Sequence, residues 1–264
     1  MSDILVELSE LRRKDAEERE REIPFDEMVR RAKAAGEPRP FAEVFSRPGV
    51  NIIAELKKAS PSEGLIREDF HPAELAKGLD AAGAAALSVL CEPHRFLGGE
   101  QYLSEVRPLV SVPVLYKDFI TTRYQIAAAR AAGADAVLLI VAVLDDAALA
   151  ELLAFAHDLG MDALVETHSE REIERAVAAG GRVIGVNCRD LRNFSTDVSL
   201  LESLVGLVPA ELTRIAESGM HSARDIAAAK AAGADGFLVG TALMRAPSPP
   251  AALRELLSAA MLSA

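Results

Sequence analysis

The 264-residue sequence contains no apolar run that approaches the roughly 18 residues of a membrane-spanning helix. Its N-terminus is polar and acidic, unlike a secretory signal. The formal net charge is −11, and an acidic chain is a poor partner for nucleic acid or an anionic membrane surface. We therefore expect a cytoplasmic protein that contacts neither a membrane nor nucleic acid.

Sequence motifs for cofactors and metals are also missing. There is no Gly-x-Gly-x-x-Gly after the first predicted strand, no Gly-x-Ser-x-Gly and no Cys-x-x-Cys. The two cysteines, Cys91 and Cys188, come after different predicted strands and are expected to be free thiols. Metal-ligand spacing is absent from the histidines, which are His71, His94, His157, His168 and His221. The sequence therefore predicts chemistry without a cofactor or a metal.

One pattern occurs four times: an alanine-rich helix end, a glycine and then an apolar run. The glycines are Gly83, Gly133, Gly180 and Gly233. Each is expected to end a helix, because glycine adopts the left-handed conformation after a helix at little cost. The apolar runs do not alternate with polar residues, which is typical of parallel strands covered on both faces. A spacing of roughly 50 residues leaves room for two strand-helix units per interval.

This count predicts a (β/α)8 TIM barrel. The predicted strands are Asn51–Lys57, Ala85–Leu90, Val112–Lys117, Ala136–Val141, Ala163–Glu166, Val183–Asn187, Thr213–Glu217 and Gly236–Gly240. Helices are expected between them, for example Thr122–Ala132 and Ser222–Ala232, the latter with Ser222 as N-cap. An open doubly wound sheet alternates in a similar way, but the missing glycine-rich fingerprint favours the closed barrel. We interpret residues 1–264 as one domain and expect a monomer.

Residues 1–50 lie outside the repeat and are expected to form an N-terminal helical extension packed on the barrel. Glu10–Glu22 is dense in charge of both signs, which predicts a solvated helix with surface ion pairs. A second helix, roughly Pro24–Ala35, carries Phe25, Met28 and Val29 on one side. This apolar stripe must pack against the rest of the molecule.

Charged and amide side chains end several predicted strands. In a barrel of this kind the C-terminal strand ends meet at one mouth, so these side chains are expected to form a shared site. Glu55 and Lys57 lie two residues apart and therefore point the same way. Lysines beside glutamates form an acid/base array whose pKa values neighbouring charges and burial can shift. The candidate residues are Glu55, Lys57, Lys117, Glu166, Asn187, Arg189 and Glu217.

Two glycine turns follow the seventh and eighth predicted strands, at Ser218-Gly219 and Gly240-Thr241. A tight turn alone explains a glycine. Barrels often bind phosphate here, however, through backbone N–H groups. The pair of turns therefore predicts a phosphate site.

At these positions the sequence resembles the indole-3-glycerol-phosphate synthase family. The matching segments run in the family's order along the whole chain. They are Ile53-Ala-Glu55-Leu-Lys57-Lys-Ala-Ser60-Pro61-Ser62, Glu92-Pro-His-Arg-Phe96, Lys117-Asp118-Phe119-Ile120, Leu164-Val-Glu166, Asn187 with Arg189-Asp190-Leu191, Ala216-Glu217-Ser218-Gly219 and Val239-Gly240. The family also carries an N-terminal helical extension.

The resemblance implies ring closure, decarboxylation and dehydration of 1-(2-carboxyphenylamino)-1-deoxyribulose 5-phosphate, a phosphorylated aromatic substrate. It implies that Lys117 is the general acid, that Glu166 moves protons in the dehydration, and that Glu55 and Lys57 orient and polarise the reacting region. Substrate contacts are implied for Ser60, Phe96, Asn187, Arg189, Glu217 and Ser218. Phosphate contacts are implied for Lys57, Gly219, Gly240 and Thr241.

Two other functions fit parts of the sequence. A Schiff-base aldolase would use Lys117 as a nucleophile on a phosphosugar ketone. A non-catalytic barrel would keep a ligand site without turnover, but the presence of both Lys117 and Glu166 argues against it. Trapping with borohydride distinguishes the aldolase, because only a Schiff base is reduced to a stable adduct.

Overall fold

The computed structural model describes residues 3–189 and 198–262, in which eight parallel strands close a barrel. The strands pair in chain order, and the first also pairs with the last. Their bounds are β1 Asn51–Leu56, β2 Ala86–Leu90, β3 Val114–Lys117, β4 Ala136–Ile140, β5 Asp162–Thr167, β6 Val183–Asn187, β7 Thr213–Glu217 and β8 Gly236–Val239. The predicted (β/α)8 barrel is confirmed.

Helices surround this barrel, and further helices precede β1 and follow β8. Their bounds are α1 Asp3–Glu22, α2 Phe25–Ala34, α3 Pro72–Ala81, α4 Glu100–Val106, α5 Arg123–Ala131, α6 Asp146–Asp158, α7 Glu170–Ala178, α8 Val198–Val205, α9 Ala223–Ala231, α10 Thr241–Arg245 and α11 Pro249–Leu262. Short 3-10 turns cover Ala42–Ser46, Arg107–Leu109 and Val141–Val143. Ala59–Ser60 pairs with Gly64–Leu65 as a small hairpin in the loop after β1.

The glycine pattern that predicted the repeat is confirmed. Gly83, Gly133, Gly180 and Gly233 have φ values of +99°, +100°, +89° and +103°. Each follows a helix and precedes a barrel strand, where a side chain would be strained. The strands are buried along nearly their whole length, as expected for a sheet covered on both faces.

The predicted bounds are shifted by one or two residues at several ends. β3 was predicted from Val112 but begins at Val114, because Pro113 has no backbone N–H to give to a ladder. Thr122 and Ser222 stand just outside α5 and α9 as N-caps, and each closes a capping box with a side chain three residues on. The predicted Ser222 cap is therefore confirmed.

The prediction of a solvated helix over Glu10–Glu22 is wrong for the face of α1 that carries Arg12 and Ala16, which are largely buried. Leu5 and Leu8 are buried in the same apolar cluster as the barrel interior. Arg12 forms an ion pair with the fully buried Asp118 at 2.7 Å, and Arg19 reaches Glu100 at the start of α4. A one-dimensional charge pattern does not show which arginines meet a buried partner. The remaining face keeps surface pairs as predicted, such as Arg13 with Glu17.

The chain between α2 and β1 closes the other end of the barrel. Phe41, Val44 and Phe45 are buried with the barrel interior, and Phe45 lies against Gly236 at the start of β8. The Asn51 side chain donates to the carbonyl oxygen of Phe45 at 3.1 Å, which fastens this segment to β1. The extension therefore contacts both ends of the barrel, and the site lies at the end that α1 covers.

The structure also bears on the cysteines, on membrane-spanning helices and on metal ligands. Cys91 and Cys188 are both buried and form no disulfide with each other, as predicted. None of the described helices is long and apolar enough to cross a membrane. Within residues 3–189 and 198–262, no group of three His, Cys, Asp or Glu side chains is placed to hold a metal ion.

Candidate active site

All predicted site residues line one cleft at the C-terminal ends of the strands. The cleft has a cavity volume of about 150 Å³. Its predicted lining residues are Glu55, Lys57, Ser60, Phe96, Lys117, Glu166, Asn187, Arg189, Glu217, Ser218, Gly219, Gly240 and Thr241. Seven of the eight strands, or the loops after them, therefore supply one shared site, as the barrel geometry requires.

Lys117, the last residue of β3, stands between two buried glutamates of β5 and β7. Its Nζ lies 2.9 Å from Glu166 Oε2 and 3.3 Å from Glu217 Oε2. The two glutamates end β5 and β7 and are almost completely buried, whereas the Lys117 side chain is 14% exposed toward the cleft. One cation thus faces two buried carboxyl groups.

This imbalance separates the pKa values of the two glutamates. Burial raises the pKa of Glu217 to about 8, and the nearby charge of Glu166 adds to the rise while Lys117 opposes it. Burial also acts on Glu166, but Lys117 and His168 outweigh it and hold its pKa well below the usual range. Burial would lower the pKa of Lys117, yet the surrounding carboxylates raise it. Lys117 therefore favours the charged form of Glu166, whereas burial and the charge of Glu166 favour the protonated form of Glu217.

A second ion pair lies at the C-terminal end of β1. Lys57 Nζ lies 2.8 Å from Glu55 Oε1, as the two-residue spacing predicts. Burial opposes the charge of Glu55, but Lys57 and Lys117 lower its pKa overall. Gly240 borders this pair so closely that a Cβ there would come within 2.4 Å of Glu55 Oε1. Any side chain at Gly240 would therefore displace the ion pair.

Asn187 and Arg189 extend the polar wall from the end of β6. Asn187 Nδ2 donates to Glu166 Oε1 at 3.2 Å, and its Oδ1 accepts from the Arg189 backbone N–H at 3.1 Å. The Arg189 guanidinium donates to Ser62 Oγ at 2.8 Å, so it bridges to the loop after β1. Asp190 and Leu191, which complete the predicted motif, lie outside the described residues.

An aromatic wall stands opposite these polar groups. The rings of Phe96 and Phe119 lie 6.1 Å apart, and Leu5 of α1 closes the same side of the cleft. The buried Glu92 carboxylate accepts from the backbone N–H groups of His94, Arg95 and Phe96 at 2.6–2.9 Å, which fixes the loop that carries the ring.

Sequence reasoning did not assign Phe119, Glu92 or Leu5 to the site. Phe119 follows directly on the Lys117-Asp118 pair and could have been found there. No signal in the sequence marks Leu5, because its place depends on how α1 docks. The role of Glu92 depends on a loop shape that no periodicity predicts.

The two predicted glycine turns lie side by side in the cleft. Ser218 and Gly219 both have positive φ values, +64° and +73°, directly after β7. For serine this conformation is strained, and strained residues cluster at sites that bind ligands. Thr241 begins α10 immediately after Gly240. The turns therefore present backbone close to Lys57, where the sequence predicts a phosphate.

The model of the indole-3-glycerol phosphate synthase family matches residues 5–256 of this chain. The chain belongs to this family. The indole-3-glycerol phosphate synthase of Rhizorhabdus wittichii is 47% identical over 264 residues, covering 98% of this chain and all of that protein. The corresponding protein of Rhodospirillum rubrum is 44% identical and covers 97% of this chain and all of that protein.

Solved structures that are distant in sequence share the fold. Thiamine phosphate pyrophosphorylase from Pyrococcus furiosus aligns with a TM-score of 0.61 at 16% identity, covering 81% of this chain and 96% of that one. Orotidine 5′-phosphate decarboxylase from Pyrococcus horikoshii aligns with the same TM-score at 15% identity, covering 79% of this chain and 98% of that one. At these identities the likeness shows the barrel fold alone.

Membership of the family fixes the overall reaction. The chain is an indole-3-glycerol phosphate synthase, a decarboxylating carboxy-lyase of tryptophan biosynthesis. It closes the indole ring of a carboxyphenylamino-deoxyribulose phosphate, with loss of carbon dioxide and water.

Proposed function

We propose that Lys117 is the general acid of this reaction and that Glu166 is the base of its dehydration step. The observation that carries the proposal is the 2.9 Å contact between them inside the cleft. When the ring carbon attacks the ketone carbon, a carbon–carbon bond forms and negative charge develops on the ketone oxygen. A lysine ammonium at that oxygen supplies both stabilisation and a proton.

The later steps need a base at the same place. Loss of carbon dioxide leaves its bonding electrons in the ring and restores aromaticity. The new hydroxyl then takes a second proton from Glu217, whose raised pKa favours its protonated form, and departs as water, while the carbon beside nitrogen loses a proton. Glu166 is ionised at neutral pH and accepts that proton. Its contact with Lys117 keeps donor and acceptor beside the same reacting carbons.

We assign the rest of the polar wall to orientation of the substrate. Glu55 and Lys57 polarise the reacting region, and Lys57 also reaches the phosphate. Asn187 and Arg189 hold the hydroxyl and carboxylate groups, since a guanidinium pairs well with a carboxylate. Phe96 borders the aromatic ring, and the remaining contacts come from Ser60, Glu217 and Ser218. Support comes from their common position on the cleft wall.

The phosphate is assigned to the turns after β7 and β8. Gly219, Gly240 and Thr241 present backbone at the cleft. Lys57 lies next to this backbone, since a Cβ placed on Gly240 would be 3.1 Å from its Nζ. Backbone N–H groups and a nearby cation are a common phosphate environment in barrels.

We further propose that residues 1–264 act as one domain, as a monomer and in the cytoplasm. Light scattering on the purified protein tests the monomer.

Borohydride reduction during turnover tests the role of Lys117 against the aldolase alternative. A general acid exchanges protons only, so we expect no substrate-derived mass on Lys117 and full recovery of activity after borohydride removal. A stable adduct on Lys117 would contradict the proposal and support a Schiff base. The high pKa of Lys117 disfavours the neutral amine that a Schiff base needs.

A further inference from the structure

We propose that His168 is a positioning residue for Glu166: its imidazolium, held by Glu172, keeps the Glu166 carboxylate ionised and oriented through the reaction. The proposal rests on the proposed role of Glu166 and extends it to a pair of residues that do not touch the cleft. His168 and Glu172 are absent from the lining of the cleft, so they would act only through Glu166.

The geometry places the imidazole directly between two carboxylates. His168 Nε2 lies 3.3 Å from Glu166 Oε1, and Nδ1 lies 3.3 Å from Glu172 Oε2. The His168 backbone N–H also donates to Glu172 Oε2 at 2.8 Å, which fixes the loop between β5 and α7. Nε2 is buried and has no aligned hydrogen bond with a described residue, although it faces Glu166. A small rotation of either side chain would complete a charge-assisted hydrogen bond.

The charges around the ring favour its protonated form. Glu166 faces it from β5 and Glu172 from α7, while Lys117 on β3 lies beyond Glu166. Burial would lower the pKa of His168, but the two glutamates beside its ring raise it to about 10. The ring is therefore an imidazolium at neutral pH. Glu166 consequently has a cation on each side.

The second cation gains importance during the reaction. Once Lys117 has given its proton to the ketone oxygen, it no longer offsets the charge of Glu166. A buried carboxylate without a nearby cation takes up a proton, because burial disfavours its charged form. The imidazolium of His168 remains and holds Glu166 ionised until the dehydration step requires a base. Glu172, which is 20% exposed, holds the ring in that position.

Kinetics of His168→Gln test this role in the intact protein. Gln keeps an amide near the ring position but carries no charge, so we expect kcat to fall about tenfold with little change in KM. Glu166 should also protonate at higher pH, which moves the acid limb of the kcat profile to higher pH. His157→Gln on α6 is the control, since this histidine lies away from the cleft. It should change neither kcat nor the position of the acid limb.

A readout that does not depend on activity is the titration of the His168 ring followed by NMR. We expect the ring to titrate well above the ordinary value of about 6.5, and lower in Glu172→Gln, where one of its two carboxylates is neutralised. Glu172→Gln retains the hydrogen-bonding shape, so the fold is expected to survive.

The outcomes separate this inference from the assignment of Glu166 itself. Near-normal turnover in Glu166→Gln would remove the base role, whatever His168 does. A neutral His168 ring at pH 7, or a His168→Gln enzyme with the wild-type kcat and pH profile, would overturn the positioning role. A loss of kcat in His168→Gln that is equal at every pH would also overturn it, because a merely structural contact predicts that result.

Discussion

At the scale of single residues, the site depends on one lysine that faces two glutamates. Burial and the charge of Glu166 raise the pKa of Glu217 to about 8, while Lys117 and His168 keep Glu166 ionised. Glu217 Oε1 has no hydrogen-bond partner among the described residues. It fits against β6 because residue 185 is a glycine, where a Cβ would lie 2.1 Å from this oxygen. A protonated Glu217 can therefore donate to a substrate oxygen while Glu166 accepts a proton.

Replacing the proposed base tests this division of roles. Glu166→Gln keeps the size and a hydrogen bond to Lys117 but cannot accept a proton. We expect nearly normal substrate binding and a loss of about two orders of magnitude or more in kcat. Combining it with Lys117→Ala should cost less than the product of the two single losses, because the two groups act as a unit. Steady-state kinetics of both single variants and the double variant measure this, and near-normal turnover in Glu166→Gln would reduce the residue to a structural strand end.

At the scale of elements, α1 is fixed to the strand end that carries Lys117. Asp118 follows Lys117 directly and is fully buried, where it meets Arg12 of α1 and accepts from the Tyr116 hydroxyl at 3.1 Å. Burial opposes the charge of Arg12, but Asp118 raises its pKa overall. The ion pair between Arg12 and Asp118 therefore both docks α1 and fixes the chain next to the proposed acid.

Removing the cation of that pair should weaken the whole element. Arg12→Met leaves Asp118 buried without a partner, and breaking a buried pair in this way costs about 3–5 kcal/mol of unfolding free energy. The matched control is Arg13→Met, whose pair with Glu17 is nearly half exposed and contributes little. Urea unfolding of both variants gives the comparison. Equal stability of the two variants would show that α1 is not held by Asp118.

The sequence predicts the chemistry of the site better than the contacts that hold it. Strand-end residues such as Lys117 and Glu166 follow from the two-residue period and the barrel count, since every strand delivers its last side chain to one mouth. The partner of Asp118 lies more than 100 positions away, and neither residue carries a periodic signal. β3 begins at Val114 because Pro113 has no backbone N–H to donate, and the hydrophobic pattern alone does not show this. Tertiary docking therefore accounts for most of what was missed.

At the scale of the whole molecule, buried ionisable groups make stability depend on pH at both ends of the range. Glu55 has a pKa that Lys57 and Lys117 lower against the effect of burial, so it contributes stability above about pH 4.5 that is lost as pH falls. His168 has a pKa raised from 6.5 to about 10, so its contribution is complete below pH 6.5 and lost as pH rises toward 10. Stability should therefore decline in both acid and alkali.

The alkaline side offers a direct measurement. Between pH 7 and about 10 the folded protein keeps a proton on His168 that the unfolded chain releases, so this group lowers the free energy of unfolding by about 1.4 kcal/mol per pH unit. Urea unfolding at several pH values above about 8, where Glu217 no longer adds to the slope, should show this contribution in the wild-type protein and in His157→Gln. In His168→Gln the slope should be smaller, and an unchanged slope would contradict the charged state of the ring.

The most direct test of the proposed mechanism is the kcat of Lys117→Ala at saturating carboxyphenylamino-deoxyribulose phosphate, followed by the fluorescence of the indole product. Loss of the proton donor should lower kcat by about a hundredfold or more with a small change in KM, the scale of general acid catalysis. Lys77→Ala, an exposed lysine on α3, is the control and should keep full activity. A folded Lys117→Ala protein with the wild-type kcat would contradict the assignment of Lys117 as the acid.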